Sequence, residues 1–193
     1  MEGLDLVVKD DELDYAVYNS KYIRDNLDEI IWHSDFSHMK FKHLPFLGPD
    51  SNRSYTLYNI FSLSAPSIHF YYIYKDLIKV IKERNKGVEE PLWAHSWINY
   101  HNEDELLDWH DHVGWKFHGY ISIQPQKTRT VFRNPDYEIV NEPGNIYVGP
   151  GLREHRVVAD EPFHGKRITL GYDVTNEGNS IDLDSAISFI PIL

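Results

Sequence analysis

The sequence predicts an α+β chain, mainly β, in which N-terminal helices brace a sandwich or barrel of the jelly-roll kind. Three observations lead there. Apolar residues recur at helical spacing in two segments before residue 90. From Pro91 onward, short runs rich in aromatic and β-branched residues follow one another at regular intervals, divided by turn signals. The aromatic supply is also high, with 13 Tyr, 9 Phe and 5 Trp, which suits a β-rich core or a lined pocket. The 193 residues suffice for a single domain with a sizeable core. Residues 1–90 read as its helical and loop-rich support, and residues 91–193 as its β core.

The first helix is predicted from Ser20 to Ser34. Tyr22, Ile23, Leu27, Ile30 and Ile31 form its stripe and Ser20 its cap. Asp35 to Pro66, with prolines at 45, 49 and 66, reads as a loop-rich segment packed on the core or lying over a site. A longer helix follows from about Ser67 to Lys86. Phe70, Tyr74, Leu77, Ile78 and Ile81 are its buried stripe, and Gly87 its stop. Strands are then predicted over Leu92–Tyr100, His118–Gln124, Thr128–Arg133, Tyr137–Asn141, Asn145–Val148, His155–Ala159 and Arg167–Val174. The turns Asn134-Pro135-Asp136, Glu142-Pro143-Gly144 and Gly149-Pro150-Gly151 separate several of them. The tail from Ile181 to Leu193 reads as a candidate final strand.

Composition narrows the partners. A formal net charge of −11 argues against a nucleic-acid backbone or an anionic membrane as partner. The absence of cysteine excludes disulfides, zinc fingers and thiol nucleophiles. Met1 to Asp10 is acidic and lacks a signal-peptide pattern, and no apolar run has the length of a membrane span, so a cytoplasmic location is expected. Oligomeric state is open on sequence alone.

The chemistry concentrates in Trp109-His110-Asp111-His112. In an extended strand, residues i and i+2 share a face, so His110 and His112 can present two imidazoles to one point. His155, in a later strand fed by a tight turn, can add a third. Three nitrogen ligands on one side of a metal, with the other side open, is the layout of a catalytic non-haem site. Asp111 points away in a regular strand, and a bulge would turn it inward as the alternative to His112. Arg167, with Thr169 two residues on, can clamp a carboxylate bidentately. His95, His101 and His118 fit no such pattern and are read as non-ligands.

Taken in order, His110-Asp111-His112, His155 and Arg167-Ile168-Thr169 resemble the 2-oxoglutarate/Fe(II)-dependent dioxygenase superfamily. With Trp97-Ile98-Asn99 before the pair and Gly119-Tyr120 after it, the resemblance is to small bacterial and phage members carrying His-x-His. It covers Trp97 to Val174, roughly the C-terminal half. It implies a double-stranded β-helix (jelly-roll, cupin-like) and an Fe(II) ion held by His110, His112 and His155. It also implies a 2-oxoglutarate co-substrate held by Arg167 and Thr169, with Tyr120 and Ser122 in reach. The implied reaction is oxidation of a small molecule or protein side chain, a hydroxylation by default, with release of succinate and CO2. Where the family usually has a carboxylate ligand this chain has His112, which leaves the iron one unit more positive.

Further positions carry two readings each. Tyr120 is either a 2-oxoglutarate contact or aromatic packing. Arg129 and Thr130 are substrate contacts or an exposed strand edge. Trp109 and Trp115 are pocket walls or plain packing. Asp108 or Glu142 is a candidate to orient a ligand imidazole. Two other functions remain open: a three-histidine cupin-like metalloenzyme that does not use 2-oxoglutarate, and a non-catalytic phage-type binding or structural protein.

Overall fold

A computed structural model of the chain describes residues 2–41, 59–64, 66–86, 88, 90–176 and 189–192. Ten strands are described: β1 (Leu4–Asp10), β2 (Tyr15–Ser20), β3 (Trp93–His101), β4 (Phe117–Gln124), β5 (Thr128–Phe132), β6 (Tyr137–Val140), β7 (Asn145–Pro150), β8 (His155–Ala159), β9 (Arg167–Thr175) and β10 (Phe189–Pro191). Seven form an antiparallel sheet in the order β1-β2-β7-β4-β9-β3-β10, and three a smaller sheet in the order β6-β5-β8. The segment from Leu107 to His110 extends the smaller sheet. His110 and His155 exchange both main-chain hydrogen bonds at 3.0 and 2.8 Å, and Val157 N–H donates to the Leu107 carbonyl at 3.0 Å. From β3 onward the chain passes repeatedly between the two sheets, which is the expected double-stranded β-helix.

The large sheet has two unlike faces. Ile168, Leu170, Tyr172 and Val174 of β9, with Ile121 and Ile123 of β4, join the main apolar core under the helices. The alternate residues Arg167, Thr169, Gly171 and Asp173 therefore turn to the space between the sheets, because side chains alternate along a strand. Part of that space is filled by a smaller cluster of Tyr15, Val17, Tyr120, Phe132, Ile139 and Tyr147. The rest is polar and holds the site.

Helix α1 (Lys21–Asp25) is capped by Ser20, whose Oγ accepts from Ile23 N–H at 3.2 Å. After Asn26 come α2 (Leu27–Phe41), the short α3 (Ile60–Leu63) and α4 (Ile68–Arg84). Ser67 caps α4, and Phe70, Ile73, Leu77, Val80 and Ile81 are its fully buried stripe. Each such aliphatic or aromatic side chain contributes roughly 1.5–3 kcal/mol of burial. Among the described residues no helix is long and apolar enough to cross a membrane.

Several elements differ from expectation. β1 and β2 form a hairpin that joins the large sheet through β2 and β7, so residues assigned to helical support also supply two of its strands. The helix predicted over Ser20–Ser34 is two helices, broken at Asn26, and α2 runs on to Phe41 rather than ending before Asp35. Its extension buries serines instead of a clean apolar stripe. Ser34 Oγ donates to the Ile30 carbonyl at 2.7 Å, and the Ser37 and Ser64 hydroxyls bond at 2.9 Å. Gly87, the prolines at 45 and 49, and the tail residues 181–188 lie outside the described residues; the tail's described strand is β10.

Candidate metal centre

The site is built by the register of the large sheet. β9 pairs with β3 and β4 so that His118 lies opposite Asp173, Tyr120 opposite Gly171 and Ser122 opposite Thr169. On the other side His95, Trp97, Asn99 and His101 lie opposite Asp173, Gly171, Thr169 and Arg167. A Cβ at Gly171 would come within 2.5 Å of the Trp97 indole, so glycine there lets Trp97 lie across the sheet. Trp97 in turn stacks near His112, with ring centroids 6.0 Å apart.

The smaller sheet brings the histidines in. The bridge between His110 and His155 sets their rings 4.3 Å apart, centroid to centroid. His112 N–H donates to the Gly151 carbonyl at 2.9 Å, and a Cβ at Gly151 would sit 2.6 Å from the His112 carbonyl oxygen. Gly149 and Pro150 end β7 rather than forming the predicted turn, and Gly151 closes on His112, whereas the turn was expected only to feed the strand of His155. One nitrogen each of His110, His112 and His155 lies within 4.8 Å of the others. Asp111 is exposed and outside this group.

Each of the three rings is held by its Nδ1. For His110 the partner is the Asp108 carbonyl at 2.6 Å, and for His155 the Arg153 carbonyl at 2.8 Å. For His112 it is the Asp173 carboxylate, at 3.0 and 3.1 Å from its two oxygens. An acceptor at Nδ1 fixes the proton there and leaves Nε2 as the lone-pair nitrogen. His112 Nε2 is buried and has no hydrogen-bond partner among the described residues.

Sequence reasoning set His118 aside and did not reach Asp173. The structure stacks His118 on His112 at a centroid distance of 3.6 Å, and its Nδ1 donates to Asp173 at 2.9 Å. His112, His118 and Asp173 form a second close group. Burial pushes His118 down to about 4, helped by its neighbour His112 and resisted by Asp173. Burial pushes Asp173 up, but the hydrogen bonds from His112 and His118 outweigh it and hold the carboxyl at about 2. Burial and the neighbouring imidazoles hold His155 well below the ordinary histidine range. The signal for both missed residues was the period-two pattern, since His118, Tyr120 and Ser122 share one face and Arg167, Thr169, Gly171 and Asp173 another.

Arg167 is 2% exposed, and among the described residues it pairs with no carboxylate. Its guanidinium bonds, among the described residues, to the Thr128 and Thr169 hydroxyls alone, each at 3.4 Å. Burial drives it down from 12.5 to about 10. The Ser122 hydroxyl is buried without a partner, and the Tyr120 hydroxyl lies against Thr130 with no well-formed hydrogen bond. A cavity of about 30 Å³ joins the histidines to Arg167 past Trp97, Asn99 and Tyr120.

Of the positions with two readings, Thr130 lines this cavity. Arg129 does not, being held in ion pairs with Glu138 and Asp160. Trp109 lies under the Arg133 and Arg156 guanidiniums and Trp115 against Phe189, so Trp97 is the tryptophan that walls the cavity. Asp108 supports His110 through its main-chain carbonyl, and Glu142 borders a separate surface groove. His101 is buried opposite Arg167, which together with burial pushes it down to about 4.

No protein-family model matches the sequence, and no curated protein sequence matches it. Solved structures do. A non-haem α-ketoglutarate-dependent carbocyclase of nogalamycin biosynthesis superposes with a TM-score of 0.60 at 8% identity, covering 86% of this chain and 83% of its own. A non-haem monooxygenase solved as a nickel complex gives 0.51 at 6% identity, covering 79% and 69%. An oxidoreductase of the 2OG-Fe(II) oxygenase family from Burkholderia pseudomallei gives 0.46 at 15% identity over 56% of this chain, which spans 58% of that protein's length. At these identities the likeness is one of fold, and the first two carry it.

Proposed function

We propose that this chain is a non-haem iron oxygenase that uses 2-oxoglutarate as co-substrate. The observation that supports this most is Arg167, a buried cation with no counter-ion among the described residues, in the same cavity as three imidazoles held by their Nδ1 atoms. A buried charge without a partner is costly, and a bound dianion would neutralise it.

The residues suit both groups. Imidazole nitrogen is a good donor to iron, and the orphaned His112 Nε2 needs an acceptor of its lone pair. His110, His112 and His155 would hold the metal. Iron held there would supply dioxygen activation coupled to decarboxylation of the 2-oxo acid to succinate and CO2. Arg167 and Thr169 would hold the distal carboxylate, with the Tyr120 and Ser122 hydroxyls as further donors to the acid. Trp97 and the aromatic cluster around Tyr147 keep water from this end of the barrel. The cavity of about 30 Å³ is too small for a diacid, so the acid seats only as lining side chains such as Leu107 part. The substrate to be oxidised is a small molecule or protein side chain, hydroxylated at the open side of the histidine cluster.

The test is anaerobic titration of the Fe(II)-loaded protein with 2-oxoglutarate, followed by succinate measurement in air. A new metal-centred visible absorption and succinate formation are expected. A second reading, a three-histidine metalloenzyme that does not use 2-oxoglutarate, is favoured by the neutrality of all three candidate ligands. Metal retention with no absorption change and no succinate would select it.

A further inference from the structure

We propose that Asp173 is a positioning residue for the metal, orienting His112 through Nδ1 and lending a three-histidine centre the negative charge its own ligands lack. This rests on the metal-binding half of the reading above and not on 2-oxoglutarate.

Asp173 is 4% exposed, and among the described residues it pairs with no lysine or arginine. Its only described partners are imidazoles: His112 Nδ1 on both oxygens at 3.0 and 3.1 Å, and His118 Nδ1 on one of them at 2.9 Å. A carboxylate accepts and does not donate, so His112 must carry its proton on Nδ1. That leaves Nε2 as the lone-pair nitrogen, and Nε2 is the buried atom of this ring without a partner. The other two ligand candidates lean on main-chain carbonyls, which orient a ring but bring no charge. Asp173 alone brings charge, and the backbone register of β9 against β3 and β4 fixes its place. His118 lies beside this pair, stacked on His112 and donating to one Asp173 oxygen. A carboxylate behind a ligand imidazole raises the basicity of that ligand, and losing such a partner weakens metal binding 10–100-fold as a typical range.

The experiment compares wild type, Asp173→Asn and His118→Phe by Co(II) titration, the visible Co(II) spectrum, and thermal unfolding of the metal-free proteins. Asp173→Asn should bind Co(II) on the order of 10–100-fold more weakly with a shifted spectrum. His118→Phe should stay within about threefold of wild type, because Asp173 still serves His112. Wild type should bind one equivalent. Unchanged affinity and spectrum in a folded Asp173→Asn overturn the proposal. So does an equal loss in His118→Phe, or a second equivalent in wild type, since either makes His112, His118 and Asp173 a metal site of their own. Should Asp173→Asn not fold, ¹⁵N-edited spectra of the Zn(II)-loaded wild type decide. A slowly exchanging His112 Nδ1–H supports the proposal and its absence overturns it. Succinate assays play no part, so this inference and the 2-oxoglutarate reading fail separately.

Discussion

Replacing Arg167 with methionine should stabilise the metal-free protein while abolishing its response to 2-oxoglutarate. The guanidinium is buried, pairs with no carboxylate among the described residues and reaches only two hydroxyls, each at 3.4 Å. Its fall from 12.5 to about 10 corresponds to about 3 kcal/mol against the charged form. Because the folded pKa lies below the unfolded one, the penalty is fully present at every pH below about 10 and fades only above it. Methionine keeps most of the stem and sheds the charge. Methionine also gives up the two long hydrogen bonds to Thr128 and Thr169, so the net gain is roughly 1–3 kcal/mol, or about 2–10 °C in Tm for a chain of this size. In Co(II)-loaded protein, 2-oxoglutarate at a hundred times its Kd should add about 2.7 kcal/mol to wild type and nothing to the variant. Thermal unfolding at pH 7 with and without the acid measures both. A variant that melts well below wild type and still shifts with 2-oxoglutarate would refute the assignment of Arg167 as an anion site.

Three further outcomes are expected. His112→Ala should lower Co(II) affinity more than a hundredfold while exposed Asp111→Asn stays within about twofold; equal losses would restore Asp111 as the ligand. Metal-free protein should lose stability as pH falls from 6.5 to about 4, because unfolded histidine takes up protons that buried His118 and His101 refuse until about pH 4. For His118 alone that loss is on the order of 3 kcal/mol, so a Tm that is flat over this range would count against a neutral buried cluster. Leu77→Ala, in the core under the large sheet, should cost about 2–5 kcal/mol by chemical denaturation yet leave the Co(II) spectrum unchanged.

What the sequence made legible follows from how local each signal is. His110, His112 and the neighbourhood of the turn before His155 could be placed because a two-residue period and a Gly-Pro-Gly signal are read within a few residues. The strands from Thr128 to Thr175 match their predicted spans to within one or two residues for the same reason. β1 escaped because an edge strand that is mostly exposed shows no alternation of apolar and polar residues. The far half of α2 escaped because Ser34 and Ser37 are buried by hydrogen bonding rather than by apolar character. For Asp173 the local rule shows only that it shares a strand face with Arg167 and Thr169. Its importance arises from pairing opposite His118 and reaching His112, and such long-range registers are not written in a short window.

Charge balance ties these features together. The usual oxygenase set of two histidines and a carboxylate places one negative charge directly on the iron. With His112 on the metal as proposed, that charge would stand one imidazole further out, on Asp173, and the buried groups would carry the same total as the usual set. Counted with a divalent ion, Arg167 and a doubly charged 2-oxo acid, the interior of the barrel becomes neutral. Without the acid it holds an excess of positive charge, and without the metal the acid leaves it negative. A water-poor interior favours the filled, neutral combination over either half. Metal and 2-oxoglutarate should therefore bind with mutual reinforcement; making Asp173 neutral should weaken the metal and tighten the acid, because every state of the site then carries one more positive charge, a shift that cancels from their coupling.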